Sequence, residues 1–340
     1  MKAYAIDKYK GALTLREFPD PLPGPGNVVV AIAAASVNPL DLKLRDGEFK
    51  AILPATMPLI LGNDLAGTVV AVGAGVRRFK VGDEVFAHPD KDRIGTFAER
   101  IAIAEADLAL KPASLGMTDA AALPLVALTA WQVLVERAQV KPGDKVLIHA
   151  GSGGVGTVAI QLAKHLGASV ATTVGTDNID LVKSLGADVV IDYRKGDFAK
   201  RLNGYDVVLN SLGPDVLEKS LAVLRPGGKL ISISGPPDPA FAREIGANWI
   251  IRLVLRLASS KIRRKAKQRG VDYSFLFMRA EGVQLTEIAK LVEAGAIRPV
   301  IDRVFGFDET PAAMARVESG RARGKVVVQV AADVPSAADS

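Results

Sequence analysis

The stretch "KVLIHAGSGGVGTVAIQLAKHLGA", residues 145–168, constrains the fold more than any other part of the chain. An apolar strand, a glycine array and an apolar-periodic helix follow one another without a gap. Gly151, Gly153 and Gly156 form a GxGxxG pattern: the first glycine permits a tight turn, the second lets a pyrophosphate approach the backbone, and the third lets helix and strand pack closely. The helix, expected to begin near Val155, aims its unpaired N–H groups and positive dipole end at the phosphates. Taken alone such a glycine string is only a flexible turn. Between a strand and a helix it reads as a dinucleotide cradle made by Gly151, Ser152, Gly153, Gly154 and Val155.

The alternation continues downstream through "SVATTV", a helix near Asn178 to Leu185, "DVVID", "YDVVLNSL", a helix through "VLEKSLAVL", and "GGKLISISG". Strands and helices at this spacing predict a doubly wound parallel sheet covered on both faces. Leu212 and Gly213, and then Ile233, Ser234 and Gly235, end successive strands on the side where open α/β sheets bind ligands. The strand holding Thr173 ends at Gly175 with no acid to accept hydrogen bonds from a ribose, which favours NADP(H) over NAD. Asp177, two residues further on, weakens that preference, or instead caps the next helix.

The first 110 residues differ in kind. Short strands such as "NVVVAIAAASV", "AGTVVAVG", "DEVFAH" and "GTFAERIAI", separated by Pro and Gly clusters, predict a small, mostly β domain. A chain of 340 residues is long enough for two cores. Asp119 is positioned to cap a helix running through Trp131 toward Arg137. The chain has no cysteine, which excludes disulfides, thiolate zinc sites and a cysteine nucleophile. Its three histidines, His88, His149 and His165, are poorly spaced for a metal and read as structural. No secretory signal or spanning segment is evident, so a cytoplasmic location is expected.

The net charge is +6, yet residues 249–270 hold eight basic residues and no acid, leaving the remainder at −2. Solvated helical faces explain this segment if Ile251, Leu253, Val254, Leu255 and Leu257 form a buried side. Nucleic acid and membrane are then not expected partners. A basic surface for RNA or membrane, or an anion-attracting lip over a phosphate-bearing ligand, remains the sharper alternative.

The segments "SVNPLDLKLRDG", "LPLVALTAW", "LIHAGSGGVGTVAIQLAKHLGA" and "GRARGKVVV", in that order along the chain, resemble the medium-chain dehydrogenase/reductase superfamily. The match is closest to its zinc-free quinone oxidoreductase and alkenal/one oxidoreductase branch, related to zeta-crystallin, and spans about residues 1–330. The resemblance implies an α/β protein in which a GroES-like, mostly β catalytic domain (1–123 and 296–333) holds an inserted Rossmann NADP-binding domain (124–295), with a disordered tail at 334–340. Substrate and nicotinamide would meet in the cleft. An apolar edge strand, "YSFLFM", would pair with its copy in a homodimer.

Zinc-dependent members carry Gly-His-Glu where this chain reads Gly62, Asn63, Asp64. No metal is therefore expected, and Asn63 and Asp64 are assigned to a turn or to the substrate side. Without a Lewis acid the electrophile must already be activated, as in an enone, an enal or a quinone. The resemblance assigns hydride transfer from NADPH to the β-carbon of an α,β-unsaturated carbonyl, with quinone reduction as the alternative. A third reading, of another class, is an NADPH-bound protein that associates with RNA or membrane through residues 249–270. Asn38 would reach the nicotinamide ribose or substrate region, and Lys43 would hold the developing oxyanion unless it is a solvated surface residue. By the same matching, Thr129 would face the nicotinamide or be buried in its helix. Asn178 and Tyr193 would contact the adenosine phosphate, with Phe277 and Arg321 near the nicotinamide and phosphates.

Overall fold

The computed structural model describes residues 1–50 and 54–331, so the expected tail at 334–340 lies outside the described residues. The chain divides into two compact units, one comprising residues 1–128 with the described residues from Arg279 onward, the other Thr129–Met278. This places the helix Gly282–Glu293 in the first unit, where the expected boundary at 295 had put it in the second. The reason is local packing: a Cβ at Gly282 would lie 2.3 Å from the Leu108 carbonyl oxygen, so only glycine lets the helix start sit so close to that strand.

The first unit is organised by the strand Asn27–Val37, whose residues are mostly buried because both its faces are covered. It pairs antiparallel with Leu65–Val72, with Arg100–Ala104 and, from the far end of the sequence, with Lys325–Gln329. A separate three-stranded sheet is built from Thr14–Glu17, Lys2–Ile6 and Leu59–Ile60. The core contains Ile32, Leu61, Leu65, Phe97, Leu108 and Val326. At the end of the long strand the chain turns into the helix Pro39–Asp46, which starts on proline, the residue best suited to a first helical position.

The second unit has six parallel strands in the order Val189–Asp192, Ser169–Val174, Lys145–Ile148, Tyr205–Asn210, Leu224–Ser232, Asp272–Phe275. The strand order reverses direction at Lys145–Ile148, the strand that enters the glycine turn, which is where doubly wound sheets bind ligands. The strand Asp272–Phe275, which takes in Tyr273–Phe275 of the apolar segment "YSFLFM" singled out in the sequence, lies at the sheet's edge.

Two local expectations fail for identifiable reasons. The helix expected from Asp119 is broken into Met117–Ala121 and Pro124–Trp131, continued by a π-helical stretch Gln132–Ala138; Gly116 rather than Asp119 precedes the first piece. Pro124 lacks an N–H and so starts a new helix instead of continuing the old one. The helix Trp249–Ala258 has no buried residue. Its apolar arc points away from the protein, with Leu253, Val254 and Leu257 exposed and only Ile251 and Leu255 half-buried.

Candidate functional site

The turn in the second unit is built by its neighbours as much as by its glycines. Ala150, not Gly151, takes the left-handed conformation, with φ +52°. Gly151 is required for a different reason: a Cβ there would lie 2.0 Å from Thr172 Oγ1. At Gly156 a Cβ would come within 2.4 Å of the Ala150 carbonyl oxygen, which confirms the packing role expected of the third glycine. The helix begins at Gly154, one residue before expected, and its first-turn N–H groups face the turn.

Thr173 is buried and braces this turn. The Ala150 N–H donates to its hydroxyl at 3.3 Å, and the Gly151 N–H donates to its carbonyl at 3.1 Å. His149 Nδ1 lies 3.1 Å from the same hydroxyl and Nε2 lies 2.9 Å from Ser220 Oγ. Ser220 Oγ already donates to the Val216 carbonyl, so it accepts from Nε2–H, and Thr173 donates to Nδ1. Burial pushes the His149 imidazole down to about 4, consistent with that neutral tautomer.

Around the turn stand the residues that would take the adenosine end of a dinucleotide. Asn178 donates to Ser152 Oγ at 3.1 Å, while its own Oδ1 is buried with no hydrogen-bond partner. Asn210, which the sequence reading passed over, has the same deficit: Nδ2 donates to the Leu212 carbonyl at 2.9 Å and Oδ1 is orphaned. Two unsatisfied acceptors, one on the last residue of the strand Tyr205–Asn210 and one in the turn after Ser169–Val174, beside a cradle that a Cβ would block, fit a ligand carrying hydroxyl or amide donors. Ser234 Oγ donates to the Leu212 carbonyl at 2.8 Å, which joins the predicted Leu212–Gly213 and Ile233–Gly235 segments.

Arg194 is a second residue missed in the sequence. Its guanidinium pairs with Asp177 at 3.1 Å and, with the exposed Tyr193, borders Gly175, where an added Cβ would lie 3.2 Å from the Tyr193 hydroxyl. Asp177 therefore balances an arginine; the helix Ile179–Ser184 has no side-chain cap. Thr129 is buried in the helix Pro124–Trp131, and the Phe277 ring lies 5.9 Å from that of Phe241. Arg321 belongs to the first unit, where its carbonyl accepts from Arg316 at 3.1 Å.

In the first unit Asn38, Asn63 and Asp64 are brought together and buried, joined by Ser36, Asp41, His88 and Lys325. Asp64 Oδ2 accepts from Ser36 Oγ and from Asn38 Nδ2, each at 2.8 Å. Its Oδ1 accepts the Leu125 N–H at 2.7 Å, which places the carboxylate at the start of the helix Pro124–Trp131. The Lys325 ammonium lies 3.2 Å from Asp64 Oδ2 and 3.2 Å from the Val37 carbonyl, and also donates to Asn38 Oδ1. All three of its protons are engaged. Asp41 accepts from the Asn38 N–H at 2.7 Å and from Asn63 Nδ2 at 2.6 Å. His88 Nδ1 lies 2.5 Å from the Asn63 carbonyl oxygen, a contact that requires the proton on Nδ1. Burial lowers the His88 imidazole, keeping it neutral. Gly62 precedes this pair at φ +107°, where a Cβ would lie 2.4 Å from Thr96 Oγ1.

Lys43, on the helix Pro39–Asp46, lies outside the hydrogen-bond network of this cluster, its side chain 40% exposed. Its ammonium is 3.9 Å from Glu48 and 6.0 Å from the Phe49 ring centroid.

The comparisons with known proteins agree with this geometry. Residues 24–113 match the alcohol dehydrogenase GroES-like domain family and residues 185–328 the zinc-binding dehydrogenase family. The chain is 35% identical to the mitochondrial NAD(P)H oxidoreductase RTN4IP1 of Danio rerio, over 98% of this chain and 92% of that protein. The chain is a medium-chain dehydrogenase/reductase. This medium-chain dehydrogenase/reductase is also 34% identical to the chloroplastic NADPH-dependent alkenal/one oxidoreductase of Arabidopsis thaliana, covering 96% of this chain and 79% of that one. Its structure superposes on the quinone oxidoreductase from Coxiella burnetii with a TM-score of 0.85 at 32% identity, covering 97% and 99% of the two chains. It is an NAD(P)H-dependent oxidoreductase with a GroES-like and a Rossmann domain.

A zinc-binding family name does not make this cluster a zinc site. The donors at Asn63 and Asp64 are an amide and a carboxylate whose two oxygens are already committed, and a buried ammonium lies where a second cation would be repelled. Zinc does not fit these residues.

Two outcomes are expected. Lys325→Met leaves the Asp64 carboxylate buried without its cation and lowers stability by about 3–5 kcal/mol in urea unfolding, part of which Lys325→Met combined with Asp64→Asn restores. Burial pushes the Asp41 carboxyl up to about 7 from 3.8, so between those pH values the folded state holds a proton that the unfolded chain releases. Stability falls as pH rises through that window, and Asp41→Asn flattens the fall, as measured by unfolding at a series of pH values.

Proposed function

We propose that the protein uses NADPH to reduce the activated carbon–carbon double bond of α,β-unsaturated carbonyl compounds, without zinc. The observation that carries this reading is the cluster at Asn63 and Asp64, where Lys325 supplies the positive charge and has no proton left to offer a substrate oxygen. With no metal fitting there, the protein lacks the Lewis acid that reduction of a simple carbonyl or oxidation of an alcohol would use. The substrate must bring its own electron sink, and conjugation to a carbonyl provides one.

A bound nicotinamide supplies the hydride. The cradle from Gly151 to Val155, braced by Thr173 and His149, would hold the pyrophosphate through backbone N–H groups, while Asn178 and Asn210 offer acceptors to the ligand's donors. Arg194 supports NADPH over NADH: although paired with Asp177, it brings a guanidinium, the group suited to a 2′-phosphate, beside Gly175 at the end of a strand that itself carries no acid. On the first unit, Lys43 is assigned the oxyanion, because its loose pair with Glu48 is readily exchanged. The name of the Arabidopsis relative supports an alkenal or enone substrate; that of the Coxiella structure supports the second reading, a quinone.

NADPH oxidation against a panel of methyl vinyl ketone, alkenals and quinones tests the proposal. Turnover of the enone with Lys43→Met lowering kcat at unchanged NADPH affinity is expected; strong quinone turnover with none on the alkenes would overturn it. Arg194→Ala raises KM for NADPH by about tenfold or more while leaving KM for NADH nearly unchanged, and equal effects on both would remove Arg194 from 2′-phosphate recognition.

A further inference from the structure

The helix Trp249–Ala258 presents Trp249, Ile250, Leu253, Val254 and Leu257 to solvent, between 47% and 73% exposed. At 3.6 residues per turn these five side chains fall within about 140° of arc, one continuous apolar stripe. The opposite side, through Ile251 and Leu255, is the half-buried one. Arg252 and Arg256 border the stripe. The helix Ser260–Gln268 follows at once and is anchored to the core by Ile262 and Ala266. Lys261 and Lys265 are fixed to Glu218 at 2.8 Å and 2.5 Å, while Arg263, Arg264, Lys267 and Arg269 are exposed. The burial expected for Leu253, Val254 and Leu257 was the ground for not expecting a membrane partner, and it does not hold.

We propose that this face docks the protein on an anionic lipid bilayer. A rigid helix with an outward apolar stripe, a tryptophan at one end and cations along its flank and in the next helix has the features of an interfacial helix: the stripe enters the acyl boundary while the cations meet lipid phosphates and carboxylates. The charges decide against the other occupants. A two-fold contact that set residues 249–270 against the same segment of a second copy would bring together eight bases on each side, of which only Lys261 and Lys265 are offset, by Glu218. RNA would pair with the cations but has no use for four aliphatic side chains, since single-strand binding relies on aromatic stacking.

Co-sedimentation of the whole protein with phosphatidylcholine vesicles, with and without phosphatidylserine, tests this. Binding to the mixed vesicles and not to phosphatidylcholine alone is expected, with a blue shift in fluorescence that is lost in Trp249→Phe; Trp131, the other tryptophan, is half-buried and remains as background. Arg263→Glu with Arg264→Glu weakens binding on the order of thirtyfold or more. Leu253→Glu with Leu257→Glu abolishes it; both sites are exposed, so these changes leave the core intact. Absence of binding at low salt, or binding indifferent to the leucine changes, overturns the proposal. So does self-association of the wild type that the leucine changes abolish, which would make the face a subunit interface. RNA binding that survives the leucine changes but not the arginine changes, with no vesicle binding, overturns it as well.

Discussion

A lysine ammonium with every proton engaged, buried against a carboxylate, organises the first unit. Lys325 connects the closing strand to the end of the long strand through the Val37 carbonyl, to the start of the next helix through Asn38, and to Asp64. Asp64 in turn receives the Leu125 N–H and so positions the start of a further helix. One ion pair thus ties together four segments far apart in sequence. Removing a buried charge's partner costs more than the pair itself contributes, so these four segments are held in one arrangement. The same commitment leaves the position unfit to hold zinc.

The second unit solves a different problem by similar means. A phosphate cradle needs backbone N–H groups held still, and here their geometry is set from behind by a buried threonine and a neutral histidine. Thr173 can accept from the turn and donate to His149 only while the imidazole is uncharged, so the low pKa imposed by burial is part of the turn's construction. The side-chain oxygens of Asn178 and Asn210 are left without a hydrogen-bond partner.

Much of this was legible in the amino-acid order, because it is local. The parallel sheet follows from strand and helix periods between Lys145 and Ser232, and the cradle from three glycines at fixed offsets. What was not legible depends on distant partners. Lys325 opens the run "KVVVQ" and looks like any strand-edge lysine; its burial follows from the pairing of its strand, through Val326 and Val327, with Val37 and Ser36, nearly three hundred residues earlier. Ala150 holds the left-handed position that composition would give to glycine, since Gly151 is needed against Thr172. The helix at Trp249 has the periodicity of a buried helix, and periodicity alone does not say whether its apolar face meets the protein or turns away from it.

The separation of Asp64 from Lys325 bears on how the chain reaches its fold during synthesis. The long strand Asn27–Val37 and the Asp64 carboxylate leave the ribosome early, but the cation and strand that complete them arrive after the whole second unit has been made. Such non-local closure is slow and leaves sheet edge exposed while it waits. The second unit, Thr129–Met278, is contiguous in sequence, so the ion pair that closes the first unit cannot form until that whole unit has been synthesised.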